Sequence, residues 1–257
     1  MALAVWMLYA GDRLMDARLL DIDPTRHNGL EARHYFHHRH RTGFLIGILL
    51  CSIALGTLLP HLDAAAMRLY LILGGLVAGY FILIHATSSD AGRRKVAHRV
   101  PKEIAVGLCF AAATFIPTVA RRPELRVALL PVALLFAALC SLNCLFIYAW
   151  EHDDQRIDVP AHGTDAPAHR IDSSAHTITR FALANLPELT GLLIFCSVAL
   201  VLVDRRVPWP VPCASALSAA ILFVLHDRRR AVSRTILRAA ADLALTTPML
   251  LFPFVLR

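Results

Sequence analysis

The sequence predicts an all-α fold, a polytopic transmembrane helical bundle of about eight spans. Three observations predict it. Mean hydropathy is +0.56. Only 18% of the 257 residues are charged, where a soluble domain carries about 25%. The apolar residues also fall in near-uncharged blocks of about 17–24 residues, each enough for a helix across a hydrocarbon core about 30 Å thick.

Taken in chain order, those blocks are 43–60, 67–86, 104–120, 127–150, 181–203, 207–226 and 239–256. Residues 1–10 precede them and are apolar but too short to span. They lack a basic n-region and a small-residue cleavage site, so they do not read as a signal peptide. They read as the exit end of a helix whose beginning is short or missing. Seven full spans and one partial span result. Pro117, Pro187, Pro248 and Pro253 lie within the spans and predict kinks. No soluble domain boundary is visible, and residues 1–257 read as one integral-membrane domain. All six cysteines fall inside apolar runs without a CxxC pair, which reads as packing.

Charge fixes the expected orientation. Nineteen of the 26 Lys and Arg residues fall on one side, in 11–41, 87–102, 151–180 and 227–238. The positive-inside rule makes that side cytoplasmic, as in a bacterial-type inner membrane. The opposite connections, 61–66, 121–126 and 204–208, are brief, so one functional face is expected. The net charge of +7 reflects this asymmetry and implies no nucleic-acid partner. Residues 155–176 are polar, with Pro160 and Pro167, and read as a flexible loop. The stretch RHYFHHRHR, residues 33–41, reads as a basic segment at lipid headgroups.

Two acidic clusters stand at helix exits on the cytoplasmic side. Asp12 and Asp16 are four apart, and Asp154 and Asp158 repeat the spacing, with Glu151 one turn earlier. Four-residue spacing puts both carboxylates of a pair on one helix face, where like charges repel. Such placements call for a cation. Oxygen-only ligands beside basic residues favour Mg²⁺, which bridges carboxylates to substrate phosphates. The basic loop GRRKVAHRVPKE lies on the same side, and its Arg94, Lys95 and Lys102 are the expected diphosphate contacts. A weak internal echo joins the two exits: YAGDRLMD and YAWEHDDQRID both begin Tyr-Ala and turn acidic.

Polar residues inside spans are candidates for function by default. Asn143 lies two turns before Glu151 and shares its face. Asn185 and Glu188 are three apart. These three are the candidate acceptor-pocket residues; Asp242 is a further intramembrane carboxylate, with which, or with Arg neighbours, Asn185 and Glu188 could instead pair.

Paired acidic motifs at cytoplasmic exits of an all-helical chain resemble the UbiA superfamily of intramembrane prenyltransferases. That family has nine spans, an Asn/Asp-rich first motif after the second and a DxxxD second motif after the sixth. With the partial span as the second, Asp12 and Asp16 fall on the first motif, and Asp154 and Asp158, with Glu151, on the second. The count is then nine less the first helix. Leu8 stands where the first motif carries an asparagine, and the second motif is displaced, with Asp153 added. The resemblance implies Mg²⁺-dependent transfer of a prenyl group from an allylic, polyprenyl-type diphosphate to an aromatic or other lipid-soluble acceptor within the membrane lipid. Asp12, Asp16, Asp154 and Asp158 would be the catalytic, metal-holding carboxylates, with Glu151 as a further metal ligand. Two alternatives stand beside it. One is a non-catalytic membrane protein or transporter. The other is a CDP-alcohol phosphotransferase, which DRLMDAR faintly resembles without the glycine that should follow its first Asp.

Overall fold

The structure is a computed structural model. It describes residues 39–86, 101–152, 177–203 and 209–247, together with Leu3, Ala4, Trp6, Met7, Ala10, Gly11 and Leu14. Among the described residues there are eight α-helices and no strand. They are α1 (Arg41–Leu58), α2 (Ala64–Ala86), α3 (Lys102–Arg121), α4 (Arg126–His152), α5 (Thr177–Ala184), α6 (Leu186–Val203), α7 (Pro210–Asp227) and α8 (Arg234–Ala244).

Five segments are long and apolar enough to cross a membrane: Arg41–His61, Lys102–Arg121, Pro123–Glu151, Leu186–Val203 and Pro210–Asp227. Helix α2 is apolar over Ala64–Tyr80. The expected count of about eight thus stands at five among the described residues. The chain divides into two compact units, Met1–Leu69 and Tyr70–Arg257, with the division inside α2.

In the first unit α1 buries none of its residues. Leu49, Leu50 and Ile53 are all more than half exposed. In water that stripe would be a liability; in hydrocarbon it is a solvated surface. Trp6 stacks on Phe44 with ring centroids 6.4 Å apart. Its indole also lies over Gly47, where a Cβ would come within 2.5 Å of the ring.

The second unit is organised around α4, whose 27 residues make a rod about 40 Å long. It packs on α3, α5, α6, α7 and α8. Helices in lipid gain little from hydrophobic burial against each other and approach through small residues instead. Gly107 shows this at the α3–α4 contact. A Cβ there would collide with the Ser141 hydroxyl and the Ala137 carbonyl of α4. Ala111 and Ala120 continue the buried face of α3. On α7 the buried face is Ala214, Ser215, Ser218, Ala219 and Leu222. The core gathers Phe146 and Trp150 of α4 with Leu193 of α6, Leu222 of α7 and Leu237 of α8.

Two expected spans are interrupted, and proline explains both. The block 181–203 is not one helix but α5 and α6, joined at Asn185. Pro187 has no N–H for the Leu183 carbonyl, and its ring crowds the preceding turn. The Asn185 amide folds back and donates to the Phe181 carbonyl at 2.7 Å. In the expected span 239–256, the described helix α8 closes at Ala244 and turns through Leu245 and Thr246. Residue 248 is proline and has no N–H for the Ala244 carbonyl. Ser218 of α7 donates to that carbonyl instead, at 2.6 Å. The Ser218 and Thr247 hydroxyls lie 2.6 Å apart, and Thr247 donates to the Ala214 carbonyl at 3.2 Å. A neighbouring helix thus meets the backbone need that the chain itself cannot, as hydrocarbon requires.

Candidate functional site

Three helices deliver charge to one end of the second unit. Helix α3 begins there after Pro101, whose carbonyl accepts from the Ile104 and Ala105 amides at 3.1 Å. Its first two residues are Lys102 and Glu103, the carboxylate favoured by the positive end of the helix dipole. Helix α4 ends there, with Glu151 in its last turn, and α8 begins there.

Arg238 of α8 forms an ion pair with Glu151. One turn further, Asp242 lies beside the Asn143 side chain and in the field of Arg238. Asn143 itself is 4% exposed. Its Oδ1 is buried and makes no hydrogen bond. Beside it, Cys144 lies within electrostatic reach of Glu103, Asp242 and Lys102. Lys102, Glu103, Asn143, Glu151, Arg238 and Asp242 therefore form one polar arc over the last two turns of α4 and the turn before them.

A second feature occupies another face of α4. Leu134, Ala138, Ser141 and Leu145 recur at helical spacing and form the floor of an apolar cleft of about 560 Å³. Its walls are Ile104 and Leu108 of α3 and Phe181, Leu189 and Leu192 of α5 and α6. The volume is that of a small-ligand site, about 300–1,000 Å³. The rim is apolar and open, with Leu108, Phe181 and Leu192 between 48% and 66% exposed. Glu103 and Thr179 also line the cleft. Thr179 donates to Glu103 at 3.2 Å, which ties α5 to α3. Glu103 thus belongs both to the polar arc and to the cleft.

Next to the arc, the Trp150 indole donates to His226 Nδ1 at 3.1 Å. Indole N–H is only a donor, so Nδ1 is an acceptor and the neutral ring carries its proton on Nε2. Phe146 packs on both rings, at 5.9 Å from Trp150 and 5.2 Å from His226.

Of the residues expected from sequence, the fold brings Lys102, Asn143 and Glu151 to one place. Asn185 spends its amide on Phe181, and Glu188 is exposed on α6; neither lines the cleft. Asp12, Asp16, Asp154, Asp158, Arg94 and Lys95 lie outside the described residues, as does the loop 155–176. Glu103, Arg238 and the placing of Asp242 beside Asn143 were not singled out by sequence reasoning. A signal existed for each. Glu103 adjoins Lys102 at a span entrance, Arg238 and Asp242 are four apart, and Asn143 and Asp242 are lone polar residues in apolar runs.

Glu151, Asp242 and Asn143 Oδ1 are hard oxygen donors of the type that Mg²⁺ takes. Glu151 is already counter-charged by Arg238. Among the described residues no three of His, Cys, Asp and Glu gather into a metal-holding group. The described donors do not make such a centre alone.

No known protein family, characterised protein or solved structure matches this chain.

Proposed function

We propose that this protein transfers a prenyl group from an allylic diphosphate to a lipid-soluble acceptor, inside a bacterial-type inner membrane and with its acidic motifs on the cytoplasmic side. One observation carries the reading. An apolar cleft and a charged arc meet at Glu103, at the end of the bundle where Lys102, Glu151 and Arg238 also stand. A substrate with a long apolar tail and an ionised head needs that combination.

In this reading the C–O bond of the allylic diphosphate breaks and diphosphate leaves with the electron pair. The acceptor then forms a bond to the allylic carbon and loses a proton. Lys102, with Arg94 and Lys95, holds diphosphate oxygens and stabilises the charge as it develops. Asp12, Asp16, Asp154 and Asp158 would hold Mg²⁺, which supplies Lewis-acid activation of the leaving group. The apolar helices keep water from the cation.

The test uses membranes containing the full chain, a labelled allylic diphosphate and candidate acceptors, with and without Mg²⁺. Magnesium-dependent transfer that drops at least about 100-fold in Asp12→Ala/Asp154→Ala is expected, the scale of losing a charge-stabilising group. Unchanged turnover in that variant would remove the assigned roles.

A further inference from the structure

The cleft on α4 opens sideways through Leu108, Phe181 and Leu192, so in a bilayer the acyl chains have access to it. Among the described residues, Glu103 is the one charged side chain that lines it. Lys102, next in the chain, is exposed and forms no part of the walls. Ser141 spends its hydroxyl on the Ala137 carbonyl at 2.9 Å. Glu103 is half-buried and accepts a hydrogen bond from the buried Thr179 hydroxyl at 3.2 Å. Among the described residues no Lys, Arg or His forms an ion pair with it. A partly buried carboxylate without a counter-charge is costly, so this end of the cleft calls on its occupant for a cation. An anionic lipid head has the wrong sign.

The dimensions agree with a lipid. Glu103 is the second residue of the span Lys102–Arg121, which puts it at headgroup level. It lies one turn before Gly107, the residue that meets Ala137 and Ser141 of α4, and so stands at the Leu145 end of the floor. From Leu145 to Leu134 the floor follows α4 for about 16 Å, half of a hydrocarbon core about 30 Å thick. That is the depth of one acyl chain in one leaflet.

We infer that the cleft seats a phospholipid of the leaflet on the Glu103 side, with one acyl chain along α4 and a primary ammonium head, as in phosphatidylethanolamine, against Glu103 and Thr179. A primary ammonium offers three donors, enough for the carboxylate and the Thr179 oxygen together. A quaternary head brings the charge without the donors. The seat lies in the same cleft as the transfer reading and deepens it: the lipid holds the cleft until a prenyl tail displaces it. Only that displacement rests on the transfer reading.

The full chain is placed in phosphatidylcholine nanodiscs with a trace of lipid carrying a photoreactive group on one acyl chain. The probe head is ethanolamine, choline or glycerol, and labelled residues are read by peptide mass spectrometry. The ethanolamine probe is expected to label the cleft segments of α4 and α6 about three- to tenfold more than either other probe. Glu103→Gln keeps the acceptor for Thr179 and removes the charge, and should bring the three probes level. Asp227→Asn, at the same end but outside the cleft, should leave the preference intact. Ala138→Phe fills the floor and should lower labelling by all three. Equal labelling of wild type by the ethanolamine and glycerol probes overturns the inference. So does a preference that survives Glu103→Gln. Equal labelling by the ethanolamine and choline probes overturns the primary-ammonium assignment. No diphosphate is present, so the outcomes separate from the transfer assay. Ethanolamine selectivity without prenyl transfer leaves the seat standing and removes the transfer reading. Transfer without selectivity does the reverse.

Discussion

Arg238 and Glu151 are the clearest case of a residue pair that the bundle must keep together. Their side chains retain 28% and 20% exposure, so the pair is partly shielded from water. Removing one partner leaves the other charge in a low-dielectric setting, which costs more than the pair contributes. Arg238→Met or Glu151→Gln should therefore lower stability by about 1–3 kcal/mol. The double variant should recover most of it. Thermal unfolding in detergent reads both, and a double variant no better than the singles would show that each side chain acts through other partners. A smaller effect belongs to Trp150. Changing it to Phe keeps the contact with Phe146 and removes the indole N–H that His226 accepts, for a loss of about 1 kcal/mol.

At the scale of the helices, the packing depends on what is missing. Gly107 admits the Ser141 hydroxyl and Ala137 carbonyl where any other residue would place a Cβ. Gly107→Leu should push α3 from α4 and cost about 1–3 kcal/mol by overpacking, seen as a lower melting temperature. Ser218→Ala should cost about 0.5–2 kcal/mol, because it strips the Ala244 carbonyl of its cross-helix donor. Helix positions were legible in the sequence to within a few residues for 43–60, 104–120, 127–150 and 207–226. Apolar composition and length determine those spans, and both are local properties. The breaks at Asn185 and Ala244 were legible only as kinks at Pro187 and Pro248. Where a proline-freed carbonyl finds its new donor is a three-dimensional matter; Ser218 lies 26 residues from Ala244. The site divides in the same way. Asn143, Glu151 and Lys102 stand out as polar residues within or at the ends of apolar runs. Arg238 did not, because in a basic loop it reads as a topogenic charge, and only packing of α8 on α4 gives it Glu151.

Across the whole molecule, two properties follow from the succession of apolar helices. The first is sidedness. Lys102, Glu151, Asp227 and Arg234 stand at helix ends on one side of the second unit, and Arg121 and Glu124 at the other. The positive-inside rule expects the first group in the cytoplasm. A cysteine placed at Glu124 should then react with a membrane-impermeant maleimide in intact cells, and one placed at Arg228 only after permeabilisation. The opposite pattern would invert the orientation and put the acidic motifs outside. The second property concerns the cleft on α4. Its rim residues Leu108, Phe181 and Leu192 face outward, so in a bilayer its opening looks sideways into the acyl chains. A ligand arriving by that route is governed by its mole fraction in lipid, not by its molarity in buffer. Adding empty vesicles at constant total ligand should then lower occupancy by simple surface dilution, and potencies measured at different lipid loads will disagree until they are expressed per lipid.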